Sequence, residues 1–230
     1  LELGGKSAAI VHNDANLDAF ESDVRWGIFF NAGQVCSAMS RVIAHESIHD
    51  ELVGRIEKIA KRLDVGPGID RPEFGENMGA MVSEAQRDRA AQMVTDAVAQ
   101  GANVVTGGRK LNIPGAFLEP TILTNVTPDM TIANEEVFGP VLSVLKFKSD
   151  AQSIEIANGT PYGLVAGVFT RDINRATNAA RSLRAGQVFV NEWYAGGVET
   201  PFGGYGLSGY GREKGREALW NYVQTKNIAI

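Results

Sequence analysis

The chain has 230 residues, 44% of them hydrophobic, with a formal net charge of −5, a single cysteine and no apolar run long enough to span a bilayer. A chain of this size buries a real core, as one large domain or two small ones, and its acidic balance offers no basic face for a phosphate backbone, which excludes nucleic acid as an expected partner. One cysteine cannot close an intrachain disulfide and fits a reducing compartment, and with no charged-then-apolar leader the expectation is a soluble, cytoplasmic protein without a membrane partner.

Residues 7–11 are a short apolar run, the mark of a buried strand. Asn13-Asp14 offers an N-cap, and Leu17, Phe20, Val24 and Ile28 recur at helical spacing, which predicts a helix over 17–30 ending at the turn Asn31-Ala32-Gly33. A strand over 41–45 follows, so Cys36 lies between a helix end and a strand start. His45-Glu46-Ser47-Ile48-His49 matches the zinc pattern HExxH, which works only with both histidines on one face of a continuous helix. Here 42–44 leads in as strand and Ser47 with Asp50 reads as a helix-start box, so the two histidines fall on different elements and no metal is expected.

Leu52, Val53, Ile56, Ile59 and Ala60 mark an amphipathic helix over 49–63, stopped by Gly66-Pro67-Gly68 and followed by a polar loop with Pro72 and Gly75. Ser83-Glu84-Ala85-Gln86 is a second capping box opening a helix to about residue 100. Strands at 104–105 and 118–123 follow, the second carrying Pro120, which predicts an edge position. Next come a strand over 141–147, a helix over 150–158, a strand over 165–169, a helix over 174–183 and a strand over 188–191. Strand and helix alternate through helical crossovers, the pattern of an α/β fold with a mostly parallel sheet covered by helices on both faces. The last ten residues alternate loosely and read as an isolated strand.

Gly204-Tyr205-Gly206-Leu207-Ser208-Gly209 is a literal GxGxxG. No strand leads into it, since Pro201 lies just upstream, and no acidic residue begins a ribose site about 20 positions on, as a dinucleotide fingerprint requires. Its glycines read as turn formers and points of close backbone approach near an active site.

Cys36 sits in Phe30-Asn31-Ala32-Gly33-Gln34-Val35-Cys36-Ser37. A free cysteine commonly serves as a small buried hydrophobe and becomes a nucleophile only where its surroundings make it one. Three other stretches bear on the choice: Leu1-Glu2-Leu3-Gly4-Gly5-Lys6-Ser7, Glu135-Glu136-Val137-Phe138-Gly139-Pro140, and Pro201-Phe202-Gly203-Gly204-Tyr205-Gly206-Leu207-Ser208-Gly209. In this order and at these spacings, the four stretches resemble the aldehyde dehydrogenase superfamily. The resemblance covers essentially the whole chain and only the C-terminal half of such an enzyme.

That resemblance implies a chemistry. Cys36 would add to an aldehyde carbonyl, giving a thiohemiacetal whose hydride leaves to NAD or NADP. Glu2 would then activate the water that hydrolyses the thioester to a carboxylic acid. The Cys36 N–H is the local oxyanion donor; a second, an asparagine side chain, would lie in the part of the enzyme outside this chain. Glu136 would hold the nicotinamide ribose hydroxyls and Phe138 would touch the ring, with Leu3 beside them. Substrate contacts fall on Val35 and Ser37, on Trp193 and Tyr194 of the loop 192–197, and on Phe202. Two aromatics in that loop suit an apolar or aromatic aldehyde, and equally a packed interface. Taken without the resemblance, Glu2 is a solvated terminal residue, Glu135-Glu136 a solvated pair and Phe138 a core side chain.

By the same resemblance, residues 1–220 form the thiol-bearing catalytic domain and 221–230 an arm that pairs with a neighbouring subunit of a homo-oligomer, dimer or tetramer. The dinucleotide-binding domain would precede the glutamate motif, so a chain that starts at Leu1 is expected to be part of something longer, to bind cofactor poorly and to turn over little by itself. Two other readings stand beside this one: a cofactor-independent thiol esterase using Cys36 and Glu2, and a non-catalytic structural or oligomerisation module.

Overall fold

The computed structural model describes residues 1–70 and 75–230; the expected turn at Pro72 lies outside the described residues. The strands are β1 (Ala8–Val11), β2 (Arg41–His45), β3 (Asp64–Val65), β4 (Asn77–Met78), β5 (Asn103–Thr106), β6 (Thr121–Thr124), β7 (Val141–Phe147), β8 (Tyr162–Gly163), β9 (Val165–Phe169), β10 (Gln187–Val190) and β11 (Tyr205–Gly206). The helices are α1 (Leu17–Val24), α2 (His49–Arg62), α3 (Glu84–Ala99), α4 (Thr131–Asn134), α5 (Asp150–Asn158) and α6 (Ile173–Ser182).

Seven strands form one sheet in the order β10-β9-β1-β2-β7-β6-β5. Its pairings are parallel except β5 on β6. Every residue of β1 and β9 is buried, as in strands covered on both faces, and this is why their sequences run apolar without alternation. The α/β architecture with a mostly parallel, helix-covered sheet is therefore present as expected. Three loops of special interest, at residues 2–6, 36–40 and 136–140, immediately precede β1, β2 and β7. Because these strands are parallel neighbours or next neighbours, the three loops emerge side by side at one end of the sheet.

Several local expectations are corrected. The helix over 17–30 is regular only to Val24; Arg25–Phe29 widens into a π turn and Asn31 and Ala32 turn left-handed. Gly27 sits where an added Cβ would be 2.9 Å from Met39 Cβ, so the widened turn packs closely on the chain beyond Cys36. The cap of α1 is Asn16, whereas the Asp14 carboxylate accepts from the Thr170 hydroxyl at 2.8 Å. Ser47 does not cap α2; its hydroxyl pairs with His45 Nδ1 at 2.8 Å. The Pro120 strand is not an edge: Pro120 falls just outside β6, which lies between β7 and β5, and β5 is the edge. His45 ends β2 and His49 begins α2, on different elements as read from the sequence. The final stretch carries a 3₁₀ turn over Glu217–Tyr222, and 223–230 run exposed without strand pairing within the chain. Among the described residues no helix is long and apolar enough to cross a membrane.

Candidate active site

The two residues 34 positions apart in sequence meet: Cys36 Sγ lies 2.9 Å from Glu2 Oε1. Glu2 owes its position to the glycine-rich loop, not to its own neighbours in sequence. Leu1 and Tyr210 exchange backbone hydrogen bonds, Glu2 bridges antiparallel to Gly209, and the Leu3 N–H donates to the Ser208 carbonyl at 3.0 Å. Ser208 is fully buried; its hydroxyl donates to the Gly4 carbonyl at 2.7 Å and accepts from the Gly163 N–H at 3.0 Å. Gly209 has φ +111, and a side chain there would run into the Leu1 carbonyl. The GxGxxG stretch thus cradles backbone, not phosphate, which is the reading its sequence context favoured.

The nucleophile loop is held in an uncommon conformation. Asn31 and Ala32 have φ 52 and 53, followed by Gly33 at φ 71, where the chain passes so close to Gly139 and Pro140 that a Cβ would be 2.9 Å from the Pro140 nitrogen. Side chains lock this turn: Asn31 donates to the Gln34 carbonyl and Gln34 to the Asn31 carbonyl, both at 3.0 Å. Among the described residues the Cys36 N–H has no acceptor, which leaves it open to a developing oxyanion.

Burial first, and then the Glu2 carboxylate beside it, push the Cys36 thiol up to about 12; the Ser37 N–H and hydroxyl act against this by donating toward the sulfur. The resting cysteine is therefore a thiol that holds its proton beside a base. Glu136 lies half-buried with Oε1 accepting from the Gly5 N–H at 3.0 Å. Burial raises its carboxyl, while Gly5, Lys6 and Arg89 work to keep it ionised. Lys6 is 2% exposed with no hydrogen-bond partner for Nζ among the described residues, and burial followed by the Arg41 charge lowers it to about 7. Phe138 is 37% exposed in a left-handed conformation, φ 54, so its ring stands at the surface beside Glu136. A carboxylate with one oxygen spare next to an exposed ring fits two ribose hydroxyls and a flat heterocycle. The Leu3 side chain is exposed on the loop before β1.

The expected substrate residues divide. Trp193 is a correction: it is 4% exposed, its indole N–H donates to the Ser37 carbonyl at 3.3 Å, and it packs on Phe189 and Gly167, so it props the nucleophile loop from below. Tyr194, at φ 67, is half-buried and electrostatically coupled to Cys36. Val35 is partly buried against the core, Ser37 is buried, and Phe202 is half-buried in a bridge to Glu213 beneath the Lys214 ammonium at 5.5 Å. Gln34, Gln86, Arg89 and Ser208 were missed as site residues. Gln86 was visible only as the last member of a capping box, and Ser208 only as a filler between glycines.

The sequence model of the Aldehyde dehydrogenase family matches residues 1–228. A mitochondrial aldehyde dehydrogenase of Leishmania tarentolae is 45% identical over 99% of this chain and 45% of its own length. Aldehyde dehydrogenase, cytosolic 1, of Rattus norvegicus is 42% identical over 100% of the chain and 45% of its own. The crystal structure of a Staphylococcus aureus betaine aldehyde dehydrogenase in complex with NAD+ superimposes with TM-score 0.91 at 37% identity, covering 96% of this chain and 44% of that one. The chain spans a little under half the length of these relatives.

Proposed function

Because the chain belongs to the aldehyde dehydrogenase family, we propose that it carries the thiol chemistry of an enzyme that oxidises an aldehyde to a carboxylic acid with NAD or NADP. The observation that carries this reading is the Cys36 sulfur at 2.9 Å from the Glu2 carboxylate.

As the sulfur bonds to the aldehyde carbon, the Cys36 proton passes to Glu2, which removes the need for a free thiolate in a site that disfavours one. The carbonyl oxygen takes up the negative charge and meets the Cys36 N–H. Bound NAD or NADP supplies the hydride acceptor, with Glu136 on the ribose and Phe138 and Leu3 beside the ring. Glu2, solvent-exposed, returns its proton to water and is again a base. It then takes a proton from the water that attacks the thioester on Cys36, and the acid leaves as the sulfur regains a proton. Tyr194, Phe202 and Val35, each partly buried, are the residues we assign to substrate contact, in keeping with an apolar or aromatic aldehyde.

The dinucleotide domain is read as part of the longer enzyme, so residues 1–220 act as its catalytic domain and 221–230 as the arm of a homo-oligomer. The single free thiol supports a reducing compartment, which we read as the cytoplasm. The cofactor-independent esterase remains the second reading, since the Cys36–Glu2 pair suffices for acyl transfer.

The test follows reduced-nicotinamide absorbance with aldehyde and NAD or NADP in the full-length enzyme. Cys36→Ala is expected to abolish the signal. Glu2→Gln is expected to slow both the first-turnover burst, which needs Glu2 for the thiol proton, and steady turnover, the latter by about 10²–10⁴-fold, the usual worth of a general base. Ester cleavage without any nicotinamide reduction would replace this reading with the esterase.

A further inference from the structure

The nucleophile loop and the segment that carries Glu136 and Phe138 share one support, the amino-terminal turn of α3. On one side, the Val82 N–H donates to Gln34 Oε1 at 2.8 Å, so the carboxamide that locks the left-handed turn before Cys36 also grips the residue ahead of the helix. Ser83 caps the helix by accepting from the Gln86 N–H at 3.2 Å. On the other side, Gln86 Nε2 donates to the carbonyls of Val137 at 2.9 Å and Phe138 at 3.0 Å, and Arg89 donates to those of Glu136 at 3.2 Å and Val137 at 3.3 Å.

Both segments held this way contain non-glycine residues in the left-handed region, Asn31 and Ala32 in one and Phe138 in the other. Such residues are strained and persist only where their surroundings over-determine them. The two segments also touch directly where Gly33 backs onto Gly139. A shift of either segment is therefore resisted by the other through a short, hydrogen-bonded path with few soft torsions.

We propose that Gln34 and Gln86 are positioning residues that, through the first turn of α3, hold the Cys36 sulfur and the Glu136–Phe138 clamp in register, so that cofactor binding and thiol reactivity are coupled. The proposal rests on the reading of Glu136 and Phe138 given under Proposed function. Neither glutamine needs to touch substrate or cofactor. Arg89 reinforces the clamp side from the exposed face of the helix.

Two quantities test this in the full-length enzyme: the dissociation constant of NAD or NADP by calorimetry, and the rate of Cys36 alkylation by iodoacetamide with and without that cofactor. Cofactor is expected to change the alkylation rate of the wild type. Gln86→Leu is expected to weaken cofactor binding about tenfold and to erase that change, within the usual range of coupling between sites. Gln34→Leu, on the nucleophile loop, is expected to weaken cofactor binding to a similar degree, and the double variant to be no weaker than either single one. Gln92→Leu, on the same helix but with its side chain bonded among the described residues only to Asp96, serves as the control that leaves all values as in the wild type. Where a leucine variant fails to fold, Gln86→Glu, which keeps the shape but presents no donor to the Val137 and Phe138 carbonyls, and Gln34→Met, which keeps the length but offers the Val82 N–H only a weak acceptor, replace them. Wild-type cofactor affinity in Gln34→Leu, or independent effects that simply add, would overturn the coupling. If the wild type bound neither nucleotide, the functional reading would fall instead; the tie would then be judged by alkylation alone, a changed Cys36 rate in Gln86→Leu supporting it and an unchanged rate overturning it.

Discussion

Cys36 is poised by its proton, not by its charge. A thiol pushed up to about 12, by burial first and by Glu2 second, is almost wholly protonated at neutral pH, so its reactivity depends on a base being within reach when the carbonyl arrives. The sign of the pH dependence follows. Below the thiol's own pKa the thiolate fraction rises tenfold per pH unit, so the alkylation rate of the cofactor-free enzyme should keep climbing from pH 7 to 10, past the region near 8.5 where an ordinary thiol levels off. Removing the carboxylate charge in Glu2→Gln should lower the thiol and speed alkylation at fixed pH, while burial keeps it above the ordinary value. A plateau near pH 8.5 in the wild-type enzyme would show that Cys36 is an ordinary thiol. At this scale the resemblance carried the reading: it singled out Cys36, Glu2, Glu136 and Phe138 from four short motifs, where residue types alone left three of them ordinary, and the structure brings the Cys36 sulfur to the Glu2 carboxylate. Trp193 was not legible, because nothing in a sequence says whether an aromatic in a glycine-containing loop turns toward the substrate or under the loop.

At the scale of elements, the strands were read well and their ends poorly. β1, β7 and β9 are runs of buried apolar residues, a signal carried by each strand alone. The helix ahead of Cys36 kept its spacing on paper through residue 30 yet broke at Val24, because close packing of Gly27 on Met39 and of Gly33 on Gly139 overrides local propensity. The cap of α1 shifted to Asn16 while Asp14 spends its side chain on Thr170; Ser83 caps α3 as read, but Gln86, the other half of that box, spends its side chain on the carbonyls of Val137 and Phe138. The glycine-rich loop shows what an element contributes. Ser208→Ala leaves the buried Gly163 N–H without its acceptor, which costs about 1–3 kcal/mol, and loosens the segment carrying Glu2. The thermal midpoint should fall, and both the burst of acylation and steady turnover should slow, since Glu2 serves each step. A lowered midpoint with both rates unchanged would mean that the loop supports the fold without positioning the base.

At the scale of the molecule, the parallel sheet gathers three loops from distant parts of the chain at one end, and the chain's last turn and tail stay outside that body. Trp220, Tyr222, Ile228 and Ile230 are each more than 70% exposed, an apolar run that a lone folded chain leaves without cover. Deleting residues 223–230 from the full-length enzyme should therefore lower the mass of the assembly in sedimentation velocity while leaving the helical circular dichroism in place; an assembly of unchanged mass would show that the tail is no oligomerisation arm.

The α/β class and the alternation of strand and helix were determined by the sequence itself, since each rests on a local pattern of apolar runs and capping residues, while the pairing of Cys36 with Glu2 was expected only from the resemblance of four separated motifs to a family. Only the tertiary structure decided which backbone the GxGxxG stretch holds, that Trp193 faces the core, that β5 and not β6 is the edge on that side of the sheet, and that the start of α3 bonds both to the Cys36 loop and to the segment of Glu136 and Phe138. Those facts depend on which distant segments come within hydrogen-bonding distance, a few ångströms set by the packing of the whole sheet, and no window of neighbouring residues contains that information.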